Sequence, residues 1–151
     1  MNRGKVLIVD DDETILESLG RELAEEKYEV FKAKEVRAGL QTLVEQPVDV
    51  LISDLKMPGV QGESLLRIAK DRYPLVIRII ITGSPDLNST LQAINEAEVF
   101  RYFIKPWKRG ELLSALTQAM RLRNSRLETR KLIGEIIAQV EKLKALGPFP
   151  E

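Results

Sequence analysis

Lys5-Val6-Leu7-Ile8-Val9 is a short run of apolar and β-branched residues cut off by Asp10-Asp11-Asp12. That is the pattern of a parallel strand buried on both faces, with acids at its carboxyl end. From Glu13 to Lys27 the apolar residues Ile15, Leu16, Leu19, Leu23 and Ala24 recur at helical spacing, and Asp12 or Glu13 stands where a helix amino end favours a carboxylate. Tyr28 to Ala33 predicts a second strand, followed by a helix around Val36, Leu40, Leu43 and Val44 that stops near Pro47. Val48-Asp49-Val50-Leu51-Ile52-Ser53-Asp54 is a third strand ending on a carboxylate, and Met57-Pro58-Gly59 supplies a rigid turn. Leu65, Leu66, Ile68 and Ala69 mark the next helix, and Val76 to Ile81 the fourth strand, which finishes at Thr82-Gly83-Ser84. A helix over Leu87–Ala97 and a fifth strand over Val99–Ile104, closed by Lys105-Pro106, complete the series. Five strands alternating with helices long enough for right-handed crossovers predict an α/β fold: a doubly wound five-stranded parallel sheet with helices on both faces.

The last helix begins near Arg109-Gly110-Glu111 and extends toward Leu146, longer than a sheet-covering helix needs to be. A seam of alternating three and four spacing runs through Leu112, Ala115, Ala119, Leu122, Arg126, Thr129, Ile133, Ile136, Val140 and Leu143, with Arg126 and Thr129 weakening its middle. The pattern divides the chain into a folded unit over 4–122, a helical extension over 123–146 and a tail over 147–151. The extension either pairs with a second copy, making a homodimer, or leads toward another domain.

Composition narrows the chemistry. A chain of 151 residues suits one compact domain with an appended element, and 44% hydrophobic with 30% charged residues allows a sizeable core. Basic and acidic residues both number 23, so no bulk charge recommends direct nucleic-acid binding. The absence of cysteine and histidine removes thiolate nucleophiles, imidazole bases and the usual zinc ligands. The apolar run before Asp10 is far short of a signal peptide and no stretch of 18 apolar residues occurs, so no membrane partner and a cytoplasmic location are expected.

In an open parallel sheet the carboxyl ends of the strands carry the site. Asp10, Asp11, Asp54, Thr82 and Lys105 would meet there. One aspartate at a strand end is ordinarily a turn former or a helix cap, but three such ends converging with a lysine and a threonine point to chemistry. Clustered carboxylates repel unless a cation neutralises them, and an oxygen-only donor set fits Mg2+ rather than zinc. Asp54, after a buried strand and before a shaped turn, is the candidate nucleophile toward phosphorus, with Lys105 and the ion offsetting phosphoryl charge. Gly83 beside Thr82 would let the backbone approach an anion closely.

These segments together resemble the receiver (CheY-like) domain of bacterial two-component response regulators, of flavodoxin-like fold. The matching motifs, in order, are Val-Leu-Ile-Val-Asp-Asp-Asp at 6–12, Leu-Ile-Ser-Asp-Leu-Lys-Met-Pro-Gly at 51–59, Ile-Ile-Ile-Thr-Gly at 79–83 and Tyr-Phe-Ile-Lys-Pro-Trp at 102–107. The resemblance implies that Asp54 is the phosphoacceptor, receiving its phosphoryl group from a sensor histidine kinase or a phosphotransfer protein. It implies Asp11 as a direct Mg2+ ligand, Asp10 assisting through water, and the Lys56 backbone carbonyl completing the set. Thr82 would bond the phosphoryl group, Lys105 would pair with it, and Tyr102 would be the aromatic switch; the Lys105-Pro106 bond would be cis. Lys56 and Ser84 occupy positions that influence water access to the acyl phosphate. Arg101, Tyr102 and Trp107 are similar to a subgroup coupled to cyclic-dinucleotide phosphodiesterase or kinase modules. The resemblance implies Mg2+-dependent phosphoacceptor and autodephosphorylation activity, not a metabolic enzyme.

Two other readings stand beside it. Asp10-Asp11-Asp12-Glu13-Thr14 also resembles the Asp-x-Asp-x-Thr pattern of haloacid-dehalogenase-like phosphatases, with Asp10 as nucleophile and Asp12 as acid and base. That scheme lacks a late acidic pair, since after Lys105 the next acids are Glu111 and Glu128 on the last helix. The third reading is a docking or dimerisation module indifferent to phosphorylation.

Overall fold

The computed structural model describes residues 2–57, 62–83 and 86–147. Strands β1 (Lys5–Val9), β2 (Glu29–Ala33), β3 (Val50–Ser53), β4 (Ile77–Thr82) and β5 (Arg101–Ile104) form one sheet in the order β2-β1-β3-β4-β5. Every neighbouring pair is parallel, and the order reverses between β1 and β3, the topological switch point of a doubly wound sheet. Helices α1 (Glu13–Glu25), α2 (Val36–Glu45), α3 (Gly62–Arg72), α4 (Leu87–Ala97) and α5 (Arg109–Ala145) make the crossovers and the terminal element.

The uninterrupted apolar strands are explained by two cores, one on each face. Leu7, Val9, Leu51 and Ile80 point to the side covered by α2, α3 and α4, whereas Val6, Ile8, Val50, Ile52, Ile79 and Ile81 point to the side covered by α1 and α5. Successive side chains alternate faces, so a strand buried on both must be apolar throughout. β4 is buried along its whole length, including its one charged residue, Arg78. That guanidinium donates to the carbonyls of Val76 and Ala97, each at 2.7 Å, and of Glu98 at 3.4 Å. It thereby caps the carboxyl end of α4, where unpaired carbonyls and the helix dipole favour a cation.

The first strand has the predicted bounds and the fourth is shifted by one residue, whereas the second, third and fifth are shorter in the structure than predicted. Val48 and Asp49 precede β3: the Asp49 main chain still bonds the Lys5 carbonyl and the Ile77 amide, but the Lys5 amide goes to the Asp49 carboxylate at 2.8 Å, which also pairs with Arg123 at 2.8 Å, and not to a main-chain carbonyl. The Pro58-Gly59 turn, Ser84 and the tail from Pro148 lie outside the described residues. The long terminal helix is present, but its seam is not one surface. Leu112, Ala115 and Ala119 are buried with Leu116 against this chain's own sheet and are unavailable to a partner, which corrects the continuous seam expected from Leu112 to Leu143. The remaining apolar stripe, Leu132, Ile133, Ile136, Ile137, Val140 and Leu143, is 40–57% exposed on the projecting half. Among the described residues no helix is long and apolar enough to cross a membrane.

Candidate functional site

The chain passes from β1 directly into α1, so the three aspartates after Val9 fall into different environments. Asp10 is buried, and its Oδ1 accepts from Asp12 N at 2.9 Å. Asp12 is the N-cap of α1, accepting from Thr14 N at 2.9 Å, and Asp11 between them is exposed. β3 delivers Asp54, 6% exposed, beside them, its amide donating to the Val9 carbonyl at 3.0 Å. Carboxylate oxygens of Asp10, Asp11 and Asp54 lie within 4.8 Å of one another.

Lys105, at the end of β5, enters this cluster with its ammonium 2.7 Å from Asp10 Oδ2 and 3.0 Å from Asp54 Oδ2. The Asp54 contact is directed as a hydrogen bond, whereas the Asp10 contact is an ion pair by distance that leaves Oδ2, though buried, without an aligned donor. Burial raises the Asp10 pKa above the ordinary carboxylate value, only partly offset by Lys105 and the Asp12 amide. Burial also works against the Lys105 ammonium, but its bonds to Asp10 and Asp54 win and hold its pKa above the usual lysine value. One lysine thus serves two buried carboxylates and a third nearby. The unaligned buried oxygen, the excess negative charge and the oxygen-only donors fit a hard cation such as Mg2+.

Thr82 ends β4, buried, and its carbonyl accepts from Lys105 N at 2.9 Å, joining two of the predicted site residues through the ladder. Lys56 N donates to Asp54 Oδ1 at 3.2 Å, and the Lys56 side chain is exposed. Tyr102 is 51% exposed on β5, and the Lys105-Pro106 bond is cis. Trp107 packs against the α1/α5-side core, and its Nε1 donates to Glu22 at 2.9 Å, a packing role.

The glycine that the site's packing requires is Gly62, not Gly83. A Cβ on Gly83 would make ordinary contact with Lys105 Cδ at 3.5 Å, so lack of space does not demand glycine there. A Cβ on Gly62, at the start of α3, would fall 1.7 Å from the Asp54 carbonyl oxygen. Gly62 N also donates to the Leu55 carbonyl at 3.1 Å, so this glycine closes the loop that carries Asp54. In sequence it is an unremarkable helix-start residue; only the close approach of backbone to backbone reveals it.

The family model of the response regulator receiver domain matches residues 6–117. Among curated proteins, the chain is 37% identical to the hydrogenase transcriptional regulatory protein HoxA of Cupriavidus necator, an alignment covering 76% of this chain and 24% of that protein. It is 30% identical to the response regulator protein PilR of Pseudomonas aeruginosa, covering 97% of this chain and 33% of PilR. The chain therefore spans a quarter to a third of the length of these relatives. Among solved structures, the signal receiver domain of an HD domain-containing protein from Pseudomonas fluorescens is 40% identical, with a TM-score of 0.79 over 82% of this chain and 99% of that one. A CheY-like receiver domain protein from Methanospirillum hungatei is 28% identical, with a TM-score of 0.77 over 82% and 98%. Sequence motifs, sheet order and the family match over most of the chain agree: this protein belongs to the response regulator receiver domain family.

Proposed function

We propose that Asp54 is the phosphoacceptor of a phosphorylation-controlled switch. The observation that carries this reading is the placement of Asp54 beside Asp10, Asp11 and Lys105, with its Oδ2 bonded to Lys105 at 3.0 Å and its carboxylate within 4.8 Å of the other two. An Asp54 oxygen attacks phosphorus in line, an O–P bond forms, and the P–N bond to the donor's imidazole breaks, leaving the electron pair on nitrogen. The chain holds no histidine, so the donor is a sensor histidine kinase, a phosphotransfer protein or a small phosphodonor.

Asp10, Asp11, Asp54 and the Lys56 carbonyl are the proposed Mg2+ ligands, Asp10 through water. Bound Mg2+ supplies charge neutralisation of the phosphoryl oxygens. Lys105 fixes the Asp54 carboxylate before reaction and meets phosphoryl oxygen after it, while Thr82 donates its hydroxyl to the new group. The added charge and acceptor oxygens draw Thr82 inward and Tyr102 follows, altering the α4–β5–α5 face. Residues 4–122 form the receiving unit, 123–146 the extension that transmits or dimerises, and 147–151 a tail. Asp12 is engaged as the α1 cap, which argues against the phosphatase reading that needs it as acid and base.

The test is intact mass after incubation with phosphoramidate and Mg2+. The protein gains one phosphoryl group; an Asp54→Ala variant and a chelator-treated sample gain none. A phosphoryl group retained by the variant, or none on the folded native protein, overturns the assignment.

A further inference from the structure

Away from the carboxylate cluster, at the amino edge of the sheet where α5 leaves the domain, a groove of about 580 Å³ opens between β4 and the helix. Four cations line it, Lys70, Arg78, Arg126 and Arg130, against one carboxylate, Glu98, a formal excess of three positive charges. Glu98 is already shared with Lys70 at 3.8 Å. Among the described residues no carboxylate lies within ion-pair distance of Arg126 or Arg130.

Arg78 is 2% exposed and bonded to backbone carbonyls alone, so its charge is met by dipoles and by no counter-ion in contact. Burial lowers its pKa, and the neighbouring Arg126 lowers it further, with Glu98 opposing. Such a concentration of positive field in a protein of zero net charge is local, which suits a small anion better than a nucleic acid. Pro74, Leu75 and Ile133 supply apolar walls, and the exposed lining is more apolar than polar. The volume lies in the range of small-molecule sites and far exceeds an inorganic ion. Arg126 and Arg130 are one turn apart on α5, about 6 Å along the axis, so both guanidinium forks can engage a single dianionic head.

We propose that this groove binds a small phosphomonoester carrying an apolar or aromatic body. The phosphate sits between Arg126, Arg130 and Lys70 above Arg78, and the body lies on Pro74 and Leu75. A ligand there ties the sheet to the projecting half of α5 and fixes the direction in which that helix leaves the domain.

The test uses the full chain, unphosphorylated and free of Mg2+, titrated with adenosine monophosphate, phenyl phosphate and inorganic phosphate while backbone amide resonances are followed. Both organic phosphates should shift the amides of Leu75, Thr129 and Arg130 saturably and bind about tenfold or more tighter than inorganic phosphate. The exposed double variant Arg126→Gln/Arg130→Gln should lose about tenfold or more in affinity while still accepting one phosphoryl group from phosphoramidate with Mg2+. No saturable shift with either organic phosphate, equal affinity for inorganic phosphate, or full binding by the double variant overturns the proposal.

Discussion

At the residue scale the site is a balance of too many carboxylates against one ammonium. Asp10 has a folded-state pKa raised by burial. Its contribution to stability is therefore fully present below its unfolded pKa, about 3.9, and is lost as pH rises through the higher folded value. Asp10→Asn keeps the shape and removes the charge. The variant should melt several degrees above the native protein at pH 7 without added metal, and the difference should shrink as pH falls through the raised folded pKa and be lost by about pH 4. A native protein as stable as the variant at pH 7 would show that Lys105 fully compensates Asp10. Gly62 is limited by space: Gly62→Ala sets a methyl 1.7 Å from the Asp54 carbonyl oxygen, so the loop must move. A loss of about 1–3 kcal/mol in denaturant unfolding is expected, with slower phosphorylation by phosphoramidate. Native stability and rate in this variant would contradict the role given to Gly62.

At the element scale the legible parts of the sequence are those where local pattern and tertiary demand agree. The α4 bounds, Leu87–Ala97, coincide with the sequence reading, since Asp86 caps the start and Glu98 ends the helix. Strand bounds were less legible because pairing depends on neighbours: Val48 and Asp49 look like strand by composition, but the Asp49 carboxylate takes the Lys5 amide instead. The site aspartates and Lys105 were visible because each ends an apolar run. Gly62 and Arg78 were not, because neither a helix-start glycine nor a lone arginine in an apolar strand reveals the carbonyls it will approach. The α5 seam shows the same limit, since one helical period serves two surfaces. Ala115 and Ala119 continue it in sequence yet face the sheet, while Ile136 and Val140 continue it into solvent.

At the scale of the whole molecule the projecting half of α5 carries an apolar stripe that stays 40–57% exposed among the described residues, and we propose a second copy as its occupant. Sedimentation should give a concentration-dependent dimer or larger assembly for the full chain and a monomer for a version ending at Arg123. Identical monomers would remove dimerisation from the account. The receiver chemistry does not depend on that result, because every proposed phosphorylation residue lies before α5. It depends on which carboxylate takes the phosphoryl group. The most direct measurement is borohydride trapping of the acyl phosphate, which reduces a phosphorylated aspartate to homoserine, followed by peptide mapping. Conversion of Asp54 alone, dependent on both phosphodonor and Mg2+, is the predicted result; conversion of Asp10 or Asp11 would contradict it.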